Sequence, residues 1–133
     1  MSEHQNCIFC GEPKMVIENR LAFAHYDSYP VNPGHCLIIP RRHVAEYFDA
    51  TAEEKAAIWA LVDEMKTVID KEYSPDGYNI GVNIGVAAGQ SVRHIHIHMI
   101  PRYKGDMEDP RGGVRGVIPH KRKYVRRNTP PGD

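Results

Sequence analysis

Residues 94–100 read HIHIHMI, with a histidine at every second position of an otherwise apolar segment. In a β-strand successive side chains point to opposite faces, so this pattern predicts a strand with His94, His96 and His98 on one face. Neighbouring imidazoles on that face stand about 6.5 to 7 Å apart, given a rise of about 3.3 Å per residue. The apolar face can pack in a core, and the imidazole face is left for chemistry.

Three imidazoles in a row are compatible with two kinds of chemistry. A neutral imidazole forms a covalent adduct with a phosphorus or acyl centre when another group fixes its tautomer. Two histidines two positions apart on a strand can also converge on one metal ion. Three surface histidines on an edge strand would fit poorly with the isoleucines between them. The spacing alone does not decide between a nucleophile and a chelating site.

The overall composition limits the class of protein. The chain has 133 residues, enough for one domain with a core that needs no disulfides. Lysine plus arginine and aspartate plus glutamate each number 17, so the net charge is zero and indicates neither a nucleic acid nor an anionic membrane as partner. The start lacks a basic segment followed by an apolar one, and the longest uncharged apolar run, AAIWALV, is too short to cross a bilayer. We therefore expect a cytoplasmic protein.

Short apolar segments bounded by turn residues predict the strands. MVIENRLAFAHYD at 15–27 predicts a hairpin that turns at Glu18, Asn19 and Arg20. HCLIIP at 35–40 predicts a buried strand that ends at its proline. GYNIGVNIG at 77–85 predicts a strand with one small, polar face.

One long helix is predicted after these first strands. Thr51 followed by Glu54 forms a capping box at the head of AEEKAAIWALVDEMKTVIDKEY, residues 52–73. Apolar residues recur there at intervals of three and four, which predicts one face packed on a sheet. Together these elements predict an α+β domain, an antiparallel meander sheet of about five strands with one long packing helix.

The segment HIHIHMI matches the signature of the histidine triad (HIT) family of nucleotidyl hydrolases and transferases. AGQSVRHIHIHMIPR resembles that family's phosphate loop and triad, and AFAHYDSYPVNPGHCLIIPRRH resembles its preceding pair of strands. The resemblance extends from about Cys7 to Arg102. It implies a HIT-like catalytic domain over residues 1–110, followed by a basic C-terminal tail over 111–133, and a homodimer.

The resemblance also implies a role for each matching residue. His96 matches the nucleophile that attacks the α-phosphorus of a nucleotide and carries the nucleotidyl group until water hydrolyses it. The other catalytic residues that it implies are His98, Gln90 and Ser91. The residues that it implies for nucleotide binding are Ile8 and Phe9 at the base, Asp27 at the ribose, and His35, Asn83 and Gly89 near phosphate. Independently of the family, a glycine-containing loop brings backbone N–H groups close to phosphate oxygens.

The segment CIFC, residues 7–10, has the spacing of a zinc knuckle, but two cysteines are only half of a zinc site. The family resemblance implies a structural zinc held by Cys7, Cys10, His43 and His94, with no catalytic cofactor. A reversible disulfide and a pair of buried free thiols are the alternatives. Cys36, inside an apolar strand, is predicted to pack in the core.

The leading hypothesis for function is hydrolysis of nucleoside 5′-phosphoanhydrides or phosphoramidates through a covalent nucleotidyl-histidine. The short segment GEPK and the segment HMIPRYKGD resemble the dinucleoside polyphosphate hydrolases, with diadenosine tetraphosphate as an example of a substrate, whereas Asn83 resembles the nucleoside phosphoramidases. The first alternative is a nucleotide-binding signalling or interaction module with incidental slow hydrolysis. The second is a metal-dependent hydrolase with all three histidines on one catalytic ion.

Overall fold

The computed structural model describes residues 7–124 and divides the chain into two compact units, with the boundary between Tyr103 and Lys104. Every strand and the one long helix lie in the first unit. Within the described residues, no helix combines the length and the apolar character that a membrane crossing requires. The last nine residues of the predicted basic tail, 125–133, lie outside the described residues.

A five-stranded antiparallel sheet forms the first unit, as predicted. The strands are β1 (Ile17–Glu18), β2 (Ala22–Tyr26), β3 (Cys36–Pro40), β4 (Gly77–Val82) and β5 (Ile97–Arg102). Their order in the sheet is β1-β2-β3-β5-β4, so the last strand lies between β3 and β4 instead of following the sequential order of a simple meander. Because β3 and β4 each pair antiparallel with β5, they run parallel to each other, and a helical crossover is the usual connection between such strands.

The crossover is helix α1 (Ala52–Tyr73), whose bounds are those predicted from the sequence. The Thr51 hydroxyl accepts a hydrogen bond from the N–H of Glu54, and the Glu54 carboxylate accepts one from the N–H of Thr51, which confirms the capping box. The helix ends where Ser74 adopts a left-handed conformation with φ of 50°. Its buried stripe consists of Ile58, Leu61, Val62, Met65 and Ile69.

The two faces of the sheet have different partners. Ile38 and Ile97 belong to the core cluster that contains the buried stripe of α1. Residues of opposite parity point to the other face, where Leu37 packs in a second apolar cluster with Phe9. His98 lies opposite Leu37 in the register of β3 and β5, so its imidazole shares that second face. The face of the sheet that α1 does not cover therefore carries the histidine chemistry.

The predicted strand at 94–100 forms only in its second half. The ladder of β5 begins at Ile97, and the N–H of Ile95 instead donates to the carbonyl of Val44. The neighbouring strand β3 ends at Pro40, which has no N–H to donate to a continued ladder. His94, Ile95 and His96 are all buried, but Ile95 belongs to the core cluster that contains the α1 stripe, whereas the rings of His94 and His96 contact Phe9 of the second cluster. The predicted alternation of faces therefore continues into this half of the segment, although the strand itself does not.

The second unit contains two short 3₁₀ turns, Gly113–Val117 and Pro119–Lys121. The Arg115 guanidinium donates to the carbonyls of Lys121 and Arg122 and lies 4.5 Å from the centroid of the Tyr124 ring. The described part of the predicted basic tail therefore contains ordered turns, and Arg115 contacts the backbone of the same tail.

Candidate active site

The tautomer of His96 is fixed by the backbone two residues before it. Its Nδ1 lies 2.9 Å from the carbonyl oxygen of His94, which can only accept a hydrogen bond. The proton of the neutral ring therefore resides on Nδ1, and Nε2 keeps its lone pair. His96 is 8% exposed, so the lone pair is held in a site with little water. This is the arrangement that a nucleophilic imidazole requires.

Phe9 packs directly against this imidazole. The centroid of its ring lies 5.1 Å from that of His96 and 6.0 Å from that of His94. Phe9 is buried, whereas its neighbour Ile8 is exposed. The sequence predicts that both residues contact a nucleobase; that contact stays a prediction, and the structure adds a role for Phe9 in holding the nucleophile.

A second chain of hydrogen bonds fixes His35 and His98. The N–H of Val31 donates to Nδ1 of His35 at 3.0 Å, so the proton of the neutral His35 ring lies on Nε2. That Nε2 lies 3.0 Å from Nδ1 of His98 and 3.5 Å from a carboxylate oxygen of Asp27. Nδ1 of His98 accepts the His35 proton, and His98 therefore carries its own proton on Nε2. His98 is therefore a neutral hydrogen-bond donor, and it lies on the same face of the sheet as the nucleophile.

Burial keeps both of these rings neutral. It lowers the pKa of His98 from its ordinary value of 6.5 to about 4, with His96 and His35 as further unfavourable neighbours for a second positive charge. Burial also lowers the pKa of His35, and the nearby Asp27 carboxylate opposes that shift only in part. At neutral pH the pair therefore donates and accepts hydrogen bonds without carrying charge.

The lowered pKa of His98 predicts an acid-induced loss of stability. Between about pH 6.5 and about pH 4 the unfolded chain binds a proton at His98 that the folded chain does not bind. The contribution of neutral His98 to the free energy of unfolding is therefore complete above pH 6.5. This free energy falls as the pH falls through this window. Between pH 7.0 and pH 5.0 the free energy of unfolding, measured with urea, should fall less for His98→Asn than for the unaltered chain. Equal falls would contradict the assignment.

The loop before the triad is held together by Gln90. Its side-chain oxygen accepts from the N–H of Gly85, and its Nε2 donates to the carbonyls of Ala45 and Val92. Gly89 adopts a φ of +94° in this loop, a conformation that favours glycine. The predicted contact of Gln90 with phosphate stays a prediction, because the amide is engaged by backbone groups in this structure. Asn83, directly after β4, and Ser91 flank the loop, and both are exposed.

Replacing Gln90 with leucine should therefore destabilise the fold by about 2 kcal/mol, because it leaves three partly buried backbone groups without this partner. Urea unfolding measures this change. Ser91→Ala, at the exposed neighbouring position, is the matched control and should change the free energy of unfolding by less than about 0.5 kcal/mol. An unchanged stability in Gln90→Leu would mean that the amide acts on a ligand instead.

Four predicted metal ligands come together although they lie far apart in the sequence. One ligand atom from each of Cys7, Cys10, His43 and His94 lies within 4.8 Å of all the others. Nδ1 of His94 is 3.3 Å from Sγ of Cys7 and 3.4 Å from Sγ of Cys10, and Nδ1 of His43 is 3.1 Å from Sγ of Cys10. This Cys₂His₂ group is able to bind a metal ion.

Hydrogen bonds outside the cluster support that assignment. Nε2 of His94 donates to the carbonyl of Pro40 at 2.7 Å, which leaves the Nδ1 lone pair directed at the two sulfurs. Burial and the neighbouring Cys7 thiol raise the pKa of Cys10 to about 11. A divalent cation would supply the positive charge that lets both sulfurs act as thiolates.

Two arginines brace the chain just before the third ligand, His43. Arg42, next to His43, donates two hydrogen bonds to the buried carboxylate of Glu54 at the start of α1, at 2.7 and 3.0 Å. Arg41 contacts the carboxylates of Glu12 and Glu18. The segment RRH gave no signal for this role in the sequence, because the pairing of each arginine with its acidic partners is made only in the fold.

The three triad histidines do not converge on one point. His94 joins the cysteine cluster, and His98 joins Asp27 and His35 in a second group whose ligand atoms also lie within 4.8 Å of one another. In that second group a metal on Nε2 of His35 would displace the proton that the Val31 contact places there. The geometry therefore favours a hydrogen-bond chain there and gives no support to one catalytic ion held by all three histidines.

Comparison with known proteins identifies the family. The HIT domain model matches residues 11–105. An uncharacterized 16.1 kDa HIT-like protein of Mycoplasma pneumoniae is 39% identical over 76% of this chain and 74% of its own length. The AP-4-A phosphorylase of Mycobacterium tuberculosis is 38% identical over 71% of this chain and 49% of its own length. The asymmetrical bis(5′-nucleosyl)-tetraphosphatase of Schizosaccharomyces pombe is 40% identical over 68% of this chain and 50% of its own length. The chain thus spans about half the length of these two named enzymes.

Solved structures agree with the sheet and helix described above. A HIT family protein from Bacillus anthracis superposes with a TM-score of 0.71 at 37% identity, over 76% of each chain. A Zn-bound histidine triad family protein from Mycobacterium smegmatis superposes with a TM-score of 0.70 at 31% identity, over 79% of this chain and 81% of the other. On these matches the chain belongs to the HIT family of nucleotide hydrolases and transferases.

Proposed function

We propose that the chain is a nucleotidyl hydrolase that cleaves dinucleoside polyphosphates through a covalent intermediate on His96. The observation that carries the proposal is the hydrogen bond from Nδ1 of His96 to the carbonyl of His94, since it leaves Nε2 as the attacking atom. Nε2 attacks the α-phosphorus, and the bond from phosphorus to the bridging oxygen breaks. The remaining nucleoside polyphosphate leaves with that electron pair.

The second step returns the enzyme to its starting state. Water attacks the phosphorus of the nucleotidyl-histidine, the P–N bond breaks, and Nε2 recovers its lone pair while the water proton passes to solvent. The N–H on Nε2 of His98 is the group suited to donate to the phosphoryl oxygens as they gain charge. His35 acts through His98. Its Nε2–H donates to Nδ1 of His98, so the proton of the neutral His98 ring stays on the Nε2 of His98.

The substrate class and the acceptor are inferred from the relatives. Printed names among them describe an AP-4-A phosphorylase, a bis(5′-adenosyl)-triphosphatase and a tetraphosphatase, so dinucleoside polyphosphates are the substrates to test first. The same names differ in whether phosphate or water accepts the nucleotidyl group. We place Asp27 at the ribose hydroxyls, because a carboxylate is a strong acceptor for a diol, and Asn83, Gly89 and Ser91 around the phosphates.

The test is turnover of diadenosine tetraphosphate in ¹⁸O-labelled water, with and without inorganic phosphate. A hydrolase of the proposed kind yields AMP that carries the label, and intact-protein mass spectrometry after rapid quenching shows one transient nucleotidyl adduct. Formation of ADP from added phosphate would identify a phosphorylase with the same intermediate. Tight binding with intact substrate and no adduct would overturn the proposal in favour of a nucleotide-binding module.

We also propose that the Cys₂His₂ group holds a structural zinc ion. The four side chains would fill all four coordination positions of a tetrahedral site. This is typical of structural zinc and leaves no open position for a substrate. Elemental analysis of the purified chain should find one zinc per protomer. A chain that binds no zinc even after reduction and addition of zinc would contradict this assignment.

A homodimer is the assembly that we infer from the family. In this chain β4 lies at the end of the strand order, and the indole of Trp59 on α1 is 40% exposed. Sedimentation equilibrium distinguishes a dimer from a monomer, and a monomer at micromolar concentration would contradict the inference.

A further inference from the structure

Two contacts connect the metal ligands to the nucleophile. His94 offers its imidazole Nδ1 to the cysteine sulfurs and its backbone carbonyl to Nδ1 of His96. Phe9 lies between the two cysteines in the sequence, and its ring packs against His96. A change at the cysteines therefore reaches the imidazole that carries the chemistry through both a hydrogen bond and a ring contact.

The two cysteines differ from the third one in access. Cys7 and Cys10 are only partly buried, whereas Cys36 is fully buried in the core. Their sulfurs already lie within 4.8 Å of each other, and only two residues separate the cysteines in the chain. A disulfide has an S–S length of about 2.05 Å, so forming one would draw both sulfurs together and remove them as ligands.

We propose that the segment Cys7–Cys10 is a redox switch that controls the position and tautomer of His96. This proposal rests on the proposed function and on the metal site. The oxidant is a peroxide. One thiolate attacks a peroxide oxygen and becomes a sulfenic acid as hydroxide leaves, and the second thiolate attacks that sulfur and expels a second hydroxide. In sum, two thiolates, hydrogen peroxide and two protons give one disulfide and two waters, and the metal leaves as a divalent ion.

Oxidation removes the two constraints together. Without the sulfurs and the metal, Nδ1 of His94 loses its partners, and the backbone carbonyl that fixes His96 loses its support. Phe9 moves with the cysteines and no longer holds the ring. Because a small displacement of a reacting group lowers the rate steeply, we expect kcat to fall by about 10²-fold.

The experiment treats the zinc-loaded full chain with hydrogen peroxide and follows three properties. A chromogenic chelator measures zinc release, peptide mass spectrometry measures the loss of two hydrogens between Cys7 and Cys10, and ¹⁵N NMR of the imidazoles reports the tautomer of His96. We expect zinc release, the bridged peptide and loss of the single Nδ1–H tautomer to occur together. Dithiothreitol with added zinc should reverse all three.

Matched variants identify the cause. Cys36→Ala keeps both partly buried thiols and should respond to peroxide like the unaltered chain, whereas Cys7→Ala cannot form the bridge. Phe9→Leu should retain more of the kcat than Phe9→Ala if the ring positions His96. Bridge formation and zinc release with an unchanged tautomer of His96 would overturn the proposal. Because the tautomer is read without a nucleotide, a chain with no hydrolase activity would refute the proposed function and still test the switch.

Discussion

Replacing His96 with alanine is expected to lower kcat/KM for diadenosine tetraphosphate by at least about 10³-fold, because the variant has no atom to form the covalent intermediate. The hydrogen bond to the carbonyl of His94 makes His96 the histidine whose Nε2 is available for attack. His98 cannot replace it easily, since its Nδ1 faces His35. Steady-state kinetics measure the loss, and mass spectrometry should show that the nucleotidyl adduct disappears.

The matched control for this variant is His120→Ala. His120 is exposed in the second unit and belongs to none of the histidine groups described above. Circular dichroism and an unchanged urea midpoint would show that His96→Ala still folds. A folded His96→Ala protein that keeps full activity would place the chemistry elsewhere.

Removing the zinc ion that we propose is expected to produce the largest change in stability. A ligand that binds only the folded chain adds about 4 kcal/mol to the free energy of unfolding at a free concentration about 1,000 times its Kd. The proposed ion would link Cys7 and Cys10 to His43 and His94, so its removal would release the N-terminal segment from the rest of the first unit at this point. Urea unfolding with and without a strong chelator, followed by the fluorescence of the single tryptophan, measures the difference.

Two variants test whether the effect belongs to the cysteine cluster. Cys10→Ser should be less stable in the presence of zinc and should lose most of the response to the chelator. Cys36→Ala removes a thiol that is fully buried outside the cluster and should keep the response. An equal stability of the unaltered chain with and without chelator would argue for two free thiols instead of a metal site.

Local sequence predicted the secondary structure well where short-range interactions determine it. Thr51 and Glu54 form the predicted capping box, and α1 has the predicted bounds, because both depend on residues within one or two turns. The strand at 94–100 was predicted three residues too long at its start, because its ladder depends on Pro40 and Val44 in another part of the chain. The position of β5 between β3 and β4 likewise depends on pairing between distant strands.

In the candidate site, too, the sequence did not predict the contacts that form between distant parts of the chain. Gln90 is read from the sequence as a residue beside phosphate, yet its amide bonds to three backbone groups, one of them 45 residues away at Ala45. Ala45 carries no side-chain signal for such a contact. The bracing of His43 through Arg42 and Glu54 was missed for the same reason, since hydrogen-bonding partners that meet only in the fold leave no pattern along the chain.

The sequence by itself determined the chemistry that is available. HIHIHMI supplies the imidazoles and CIFC supplies the sulfurs, and the spacing of the histidines is the signature of the family. Only the tertiary structure decided which imidazole does what. The two nitrogens of a histidine ring are indistinguishable in a sequence, and the partner of one nitrogen decides whether the other carries a proton or a lone pair. Here those partners are the carbonyl of Pro40 for His94, the carbonyl of His94 for His96, and His35 for His98.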